Sequence, residues 1–307
     1  MIDISLMQAF LKAVKRGARV IMSGDADQLP SVGPGNVLKD IISSGMIPVI
    51  RLGRIFRQAQ ESLIVVNAHR INHGEMPDLS RSDSNFFFLS RSAPELTAQT
   101  IADLYKSRLP RSYDLNPITD IQVISPSKKG IAGVVAINNL IQSEVNPPDI
   151  MKQEISYGKM IFRVGDKVMQ TKNNYQLEWE IRGRYGIPIE KGVGVFNGDT
   201  GIIKTINEFA ETAEVEFEDG RWAEYSFKQL DELELAYAVT IHKSQGSEYP
   251  AVIIPLLSGP RMLMNRNLLY TAVTRARKCV TVVGSEETFR DMIRNEKQQR
   301  RYSSLDQ

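Results

Sequence analysis

Apolar side chains recur at helical spacing along much of the first half of the chain. In the first such stretch, Ile4, Met7 and Phe10 lie on one face, and Gly17 is placed to end the helix. The same spacing, with Asn36 as a cap and glycine or proline at the ends, predicts further helices. These lie at residues 36–44, 61–72, 93–107 and 134–144.

Short apolar runs between turn residues predict strands at 19–22, 49–52, 86–89 and 120–124. Because these runs alternate with the helices, they favour a parallel sheet with crossover helices, which is an α/β fold. After residue 164 the pattern changes to short alternating runs separated by Gly-Asp and Asp-Gly turns. Those runs, at 165–172, 201–206, 212–217 and 222–227, indicate a small β-barrel, with a projecting hairpin or loop at 175–194.

The chain then returns to the sheet pattern. Apolar runs at 233–239, 251–257 and 279–284 predict three more strands, and a basic helix is expected to close the chain near Arg301. Between them, residues 267–277 have helical spacing, with Tyr270 and Val273 on one face and Arg275 and Arg277 on another. A guanidinium matches the oxygens of a phosphate group, so these arginines are candidate phosphate contacts.

Composition narrows the possible functions. The net charge is only +2, with 38 basic and 36 acidic residues, so no global field indicates a nucleic-acid partner. The one cysteine, Cys279, lies in an apolar run, and one cysteine with three scattered histidines predicts no metal site. His69 and His73 have metal-ligand spacing, but a solvated or capping role is favoured because no third ligand is near. Without a signal or membrane-spanning pattern, we expect a soluble cytoplasmic protein with no membrane partner.

Polar loops follow three of the predicted strands, where ligand loops of open α/β sheets lie. Residues 23–35 combine two acids, an amide and three glycines, and 125–130 read Ser-Pro-Ser-Lys-Lys-Gly. Residues 240–248 gather hydroxyls, an imidazole, an amide, a glycine and a carboxylate, a mixture that suits a polyanion. The plainer interpretation of residues 23–35 is a turn with polar side chains and no function. For residues 125–130 it is a loop with solvated lysines.

Residues 240–248 and 267–277 together resemble the fifth and sixth motifs of superfamily 1 helicases, in the wording of the RecD-like branch. Residues 23–35 resemble the third motif, and Arg54–Gln58 the fourth. The resemblance implies a RecA-like P-loop NTPase motor fold with an inserted small SH3-like β-barrel. It implies that 1–78 belong to the first RecA-like domain, that 79–163 and 236–307 form the second (UvrD-like C-terminal) domain, and that 164–235 form the barrel.

The resemblance also implies roles for individual residues. Gln28 would sense the terminal phosphate of ATP, and Arg57 and Arg275 would reach the nucleotide, so these three are the implied catalytic residues. Glu248 would meet the ribose, and Gly246 would let the backbone close on it. A single strand of DNA would be held by a further set: Ser125, Pro126, Lys128, Thr240 and His242.

Two elements of such a motor are missing from the sequence. There is no G-x-x-x-x-G-K-[ST] phosphate loop and no acidic pair at a strand end. The implied cofactors, ATP and Mg²⁺, would therefore bind through phosphate-loop and metal ligands outside this chain. The implied partners are single-stranded DNA, duplex junctions, and the missing N-terminal motor half in cis or a partner subunit in trans.

The resulting expectation is the C-terminal part of an ATP-dependent 5′-to-3′ DNA helicase of DNA repair or recombination that is inactive alone. Two alternatives remain open at this point. One is a non-catalytic single-stranded DNA-binding module, and the other is the helicase half of a conjugative relaxase-type protein.

Overall fold

The computed structural model describes residues 2–52, 62–79, 85–257, 259–260 and 263–297. The chain divides into two compact units. One consists of Met1–Ser92 with Thr240–Gln307, and the other of Ala93–Val239.

The elements follow in chain order. The first stretch has α1 (Ile4–Ala13), α2 (Val37–Ser44), α3 (Leu63–Asn72) and β1 (Phe86–Ser90). The second has α4 (Pro94–Asp103), a π-helical turn (Leu104–Arg108), α5 (Leu109–Tyr113), α6 (Pro117–Asp120), β2 (Ile121–Ser125) and α7 (Val134–Val145). The strands β3 (Glu154–Tyr157), β4 (Met160–Arg163), β5 (Lys167–Gln170), β6 (Asn174–Arg182), β7 (Pro188–Val195), β8 (Thr200–Asn207), β9 (Thr212–Phe217), β10 (Arg221–Ser226), β11 (Leu233–Leu235) and β12 (Ala238–Thr240) come next. Last are β13 (Tyr249–Leu256), α8 (Arg266–Val273), β14 (Ala276–Gly284) and α9 (Glu286–Arg294).

The predicted helices form, but the predicted cap Asn36 makes no side-chain hydrogen bond to the start of α2. The Asp3 carboxylate accepts a hydrogen bond from the Leu6 amide at 2.8 Å, which satisfies a donor at the start of α1. Gly45 ends α2 with φ 65°, a left-handed conformation that glycine adopts without strain. The helix predicted over 93–107 starts in place but continues through the π-helical turn to Tyr113.

The first unit contains parallel strands whose central member is β14. That strand pairs with β1, placing Phe86 beside Val280, and with β13, placing Ala251 beside Cys279. From Cys279 to Gly284 every residue of β14 is buried, so this strand forms the middle of the core. Helix α8 packs against α3 and α9. The predicted parallel arrangement is confirmed for these strands.

The strands predicted at 19–22 and 49–52 are wrong for this structure. Ile21 and Leu52 are 88% and 94% exposed, and neither stretch forms a strand. A strand persists only where its backbone amides and carbonyls are paired, and no strand of the described residues pairs with either stretch. Their apolar pattern is real, but it lacks a partner within the described part of the chain.

The second unit contains a seven-stranded antiparallel sheet in the order β11-β5-β8-β9-β10-β6-β7. Ile203, Val215 and Tyr225 are fully buried on its inner side. The predicted projection at 175–194 is a hairpin made by β6 and β7. The same unit contains β2, which is buried along its whole length, and α7, which packs against α4.

Candidate functional site

The first unit has a cavity of about 420 Å³ beside the loop that joins α1 to α2. Its lining combines this loop with residues from the far end of the sequence. The lining residues used below are Asp25, Gln28, Leu29, Gln245, Gly246 and Arg275. Two of the sequence-predicted loops, 23–35 and 240–248, therefore meet at one cavity, together with the arginine that follows α8.

Arg275 is held in a fixed orientation at this cavity. The side chain is only 6% exposed, and its Nη2 donates to Oε1 of Gln28 at 2.8 Å. Its Nε donates to the Thr271 carbonyl at 3.1 Å and its Nη1 to the Ser247 carbonyl at 3.2 Å. Burial lowers the pKa of Arg275, opposed by the carboxylates of Glu248 and Asp25, yet a guanidinium stays charged near neutral pH. The result is a pre-oriented cation.

Gln28 is orientated from its other side by Asp25. The Gln28 Nε2 donates to Oδ2 of Asp25 at 3.1 Å, and the Tyr270 hydroxyl donates to the same oxygen at 2.9 Å. Burial, and then the nearby Asp25 carboxylate, raise the pKa of Tyr270, so its hydroxyl remains a donor. Hydrogen bonds thus run continuously from Tyr270 through Asp25 and Gln28 to Arg275.

The loop that carries Gln28 is held by three side chains that were not among the predicted site residues. Thr271 Oγ1 accepts from the Leu29 amide at 2.9 Å, and Asn267 Nδ2 donates to the Asp27 carbonyl at 2.6 Å. From α3, Asn72 Nδ2 donates to the Asp27 carboxylate at 2.8 Å. The only sequence signal was that Asn267 and Thr271 lie four apart, on one face of the predicted helix.

The two predicted nucleotide contacts within residues 240–248, Gly246 and Glu248, have different surroundings. Gly246 lines the cavity with φ 89°, a conformation that suits glycine. Glu248 is more than half exposed and binds Arg277, whose Nη2 lies 2.6 Å from Oε2 of the carboxylate. Glu248 lies outside the cavity lining. Arg57, the other predicted arginine, lies outside the described residues.

In the second unit, the predicted DNA-contacting loop after β2 is shaped from within. Ser125 is buried, and its hydroxyl accepts from the Ser127 amide and lies 3.0 Å from the Ser127 carbonyl. Pro126 is half-buried. Lys128 is exposed, and its Nζ pairs with Oε1 of Glu234 at 2.8 Å. The lysine therefore faces solvent, whereas the Ser125 hydroxyl is engaged inside the loop.

The other predicted DNA contacts flank the turn after β12. The Thr240 hydroxyl accepts from the Lys243 amide at 3.3 Å, and the Thr240 carbonyl accepts from the Ser244 amide at 3.1 Å. His242 is exposed in this turn. Thr240 therefore organises the turn that presents His242.

His69 and His73 belong to the end of α3. Nδ1 of His73 lies 2.8 Å from the His69 carbonyl, the local capping arrangement favoured from the sequence. No group of three or more potential metal ligands from His, Cys, Asp and Glu occurs among the described residues. Within the same residues, no helix has the length and apolar character needed to cross a membrane.

Three family models match the chain. Residues 137–217 match the SH3 domain of ATP-dependent RecD-like DNA helicases, 235–283 match the UvrD-like helicase C-terminal domain, and 1–86 match an AAA domain. The ATP-dependent RecD2 DNA helicase of Deinococcus radiodurans is 32% identical to this chain over 306 residues. The chain belongs to the RecD-like helicase family. Its fold class is accordingly the predicted one, a RecA-like motor fold with an SH3-like barrel.

The RecD-like chain spans between 28% and 54% of the length of the curated relatives that it matches. It corresponds to 38% of the Deinococcus protein and to 49% of the RecBCD enzyme subunit RecD of Mycobacterium tuberculosis, which is 28% identical. Among solved structures, it is similar to a Pif1 helicase from Bacteroides in complex with ADP-AlF3 and ssDNA, with 19% identity and a TM-score of 0.47. That alignment covers 88% of this chain and 62% of the Pif1 chain.

Proposed function

We propose that this chain supplies the phosphate-sensing glutamine and the transition-state arginines of an ATP-dependent DNA helicase. The helicase would move 5′ to 3′ on single-stranded DNA and unwind duplex in repair or recombination. The supporting observation is the hydrogen bond from buried Arg275 to Gln28 beside the cavity.

The geometry suits one part of phosphoryl transfer. That reaction requires a phosphate cradle, a metal ion and positive charge at the transferred group. The cradle and the Mg²⁺ ligands lie outside this chain, whereas Arg275 is a positive charge that neighbouring carbonyls already orient. Because Arg275 Nη2 donates to both Gln28 and Thr274, a phosphate oxygen that approaches Nη2 from the Gln28 side would displace Oε1 of Gln28. Gln28 would then respond directly to the presence of the terminal phosphate.

The remaining nucleotide roles stay predictions. We assign Arg57 to the same phosphate and Gly246 to the backbone that approaches the nucleotide. Glu248 would reach the ribose only after leaving Arg277, and an exposed ion pair opposes that exchange by about 1 kcal/mol or less.

We assign single-strand binding to exposed Lys128 and His242, with Thr240 supporting the second of these. Ser125 and Pro126 would contribute by shaping the loop that carries Lys128. Junctions with duplex DNA would be the site of unwinding. The partner in the motor would be an N-terminal half in cis or a separate subunit in trans.

The proposed domain boundaries are those implied by the motifs. The first motor domain would end at 78, the second would comprise 79–163 and 236–307, and the barrel 164–235. The matches to the SH3 and UvrD-like models support a barrel followed by a return to the motor domain.

The test compares two arginines that are two residues apart. In this chain joined to the phosphate-loop half of the Deinococcus relative, Arg275→Lys should lower ATP turnover by ~10³-fold, because lysine lacks the bidentate fork. Arg277→Lys is the matched control, since its side chain is exposed and pairs with Glu248, and it should retain most of the turnover. Turnover is divided by the folded fraction from circular dichroism, because Arg275 also ties carbonyls together. Near-parent turnover of Arg275→Lys would remove the assignment.

A further inference from the structure

Gln245 joins the two halves of the candidate site. It lies in the turn after β12, between Thr240 and His242 on one side and Glu248 on the other. Its Nε2 donates to the Leu29 carbonyl at 2.8 Å and lies 3.5 Å from the Pro30 carbonyl. Leu29 directly follows Gln28, so one side chain links the turn to the phosphate-sensing loop.

The orientation of the Gln245 amide follows from its neighbours. Both partners are carbonyl oxygens, which only accept, so the amide nitrogen must face them and the oxygen must face away. That oxygen is buried and has no hydrogen-bond partner among the residues that the structure describes. A buried acceptor without a partner is destabilising, so this orientation persists because the bond to the loop holds it.

Hydrogen bonds within the turn after β12 hold Gln245 in place. The Ser244 amide donates to the Thr240 carbonyl at 3.1 Å, and the Ser244 hydroxyl donates to the Ile241 carbonyl at 2.9 Å. Ser244 is fully buried, and Gln245 is 8% exposed. The Gln245 amide also donates to the His242 carbonyl at 3.4 Å, so the exposed corner of the turn and Gln245 belong to one hydrogen-bonded unit.

The loop at the other end of the link is itself held in one arrangement. The Leu29 amide donates to Thr271 while the Leu29 carbonyl accepts from Gln245, so the peptide groups around Leu29 are fixed from two sides. Loss of either bond frees the backbone next to Gln28. Gln28 in turn touches both Arg275 and Asp25.

We propose that Gln245 is a positioning residue that couples single-strand binding at the turn to the position of Gln28. DNA at His242 and Thr240 would set the turn, and Gln245 would carry that setting to Leu29 and so to the phosphate-sensing side chain. This inference rests on the proposed function, since it assumes that the turn binds single-stranded DNA. Coupling is reciprocal, so a ligand that orders the loop at Gln28 also favours the DNA-bound turn.

The experiment measures hydrogen exchange of the amides in residues 23–35 of this 307-residue chain, with and without a thymidine oligonucleotide. Gln245→Met preserves the length of the side chain and removes its donor. Gln229→Met is the matched control, because the Gln229 side chain makes a local capping contact with Ser226 and lies in the other compact unit. Oligonucleotide affinity is measured for each variant by fluorescence anisotropy.

In the parent chain and in Gln229→Met, the oligonucleotide should slow exchange in 23–35 at least several-fold. In Gln245→Met this slowing should disappear, while oligonucleotide affinity stays within about two-fold, which is about 0.4 kcal/mol, because the proposed DNA contacts Thr240 and His242 are unchanged. A merely structural role predicts faster exchange of the loop in Gln245→Met with the slowing intact, and that result would overturn the inference. Parent chain that binds the oligonucleotide without protecting 23–35 would also overturn it and leave the proposed function standing. Parent chain that binds no oligonucleotide would contradict both.

Discussion

Two arginines that share one sequence motif have different physical settings. Arg275 is buried and bound to four backbone or side-chain oxygens from three separate segments, whereas Arg277 lies at the surface with one carboxylate. A motif of the form Arg-x-Arg cannot distinguish them, because side-chain direction depends on where the helix ends. The structure identifies Arg275 as the residue whose loss disturbs the cavity.

Gly246 offers a test of the cavity at the level of one backbone dihedral. Its φ of 89° is strained for any residue with a Cβ, so Gly246→Ala should lower stability by about 1 kcal/mol or more. Gly17→Ala is the control, with φ 82° and no atom within 4 Å of the added carbon. Both variants should lose similar stability in urea unfolding. Only Gly246→Ala should also weaken binding of a fluorescent ATP analogue by the chain joined to a phosphate-loop half, and equal binding by the two would contradict the assignment.

Lys167 is a fully buried lysine whose Nζ donates to Oε1 of Gln122 at 3.0 Å. Burial lowers its pKa to about 8, opposed by the carboxylates of Glu218 and Asp120. Between that pKa and the unfolded value of about 10.4, the unfolded chain binds more protons, so stability rises with pH. We expect the free energy of unfolding to increase by about 1 kcal/mol from pH 7 to pH 9.

The pH effect of Lys167 is measured by urea unfolding at several pH values. The window stops at pH 9 because unfolded tyrosines begin to ionise above it, and buried Tyr225 and Tyr237 have raised pKa values that oppose the trend. Lys167→Met should abolish the rise. A rise of the same size in Lys167→Met would assign it to another group.

At the scale of elements, the loop after β2 and the strand β11 hold the exposed ion pair Lys128–Glu234. DNA phosphates would compete with Glu234 for this lysine. Because an exposed pair contributes about 0.2–1 kcal/mol, Glu234→Gln should raise oligonucleotide affinity by about 1.4- to five-fold at low salt. Glu144→Gln frees Lys106 from an equally short exposed pair on α7 and adds the same charge, so it controls for the global field. Equal gains in both variants would exclude Lys128 as a specific contact.

Some elements of the fold could be predicted from the sequence, and others could not. Helical periodicity located α1, α2, α3 and α7 because each is amphipathic by itself. The runs 19–22 and 49–52 have equally good strand patterns and still fail, because a strand depends on a neighbour that periodicity does not reveal. The contacts of Asn267 and Thr271 could not be predicted for a related reason, since both residues contact a loop some 240 positions earlier in the chain.

At the scale of the whole molecule, the proposed function assigns sensing and charge-stabilising groups to a chain whose sequence has no G-x-x-x-x-G-K-[ST] phosphate loop. Purified alone, it should show no ATP turnover above background, with or without single-stranded DNA. Joined to a phosphate-loop half, it should hydrolyse ATP. Turnover by the chain alone, proportional to its concentration and abolished in Arg275→Lys, would contradict the assignment.

The small number of proposed DNA contacts, Lys128, Thr240 and His242 among them, also determines how steeply salt weakens binding. Few phosphates would be neutralised, so the logarithm of oligonucleotide affinity should fall with that of salt with a slope of only about −2. Fluorescence anisotropy between 50 and 300 mM salt measures this slope. Sequence-independent binding is expected since the contacts are to the backbone, and a strong preference for one duplex sequence would point to a different kind of module.

The rate at which the Cys279 thiol is modified can report how often the core opens. It is the single cysteine of the chain, and it is buried in β14 between strands on either side. Its side chain points to one face of the sheet, so a thiol reagent reaches it only when the residues packed over that face move away, and the rate of thiol modification reports the opening of the core. The kinetic resistance of the core to unfolding can thus be read from one covalent label, with no engineered probe.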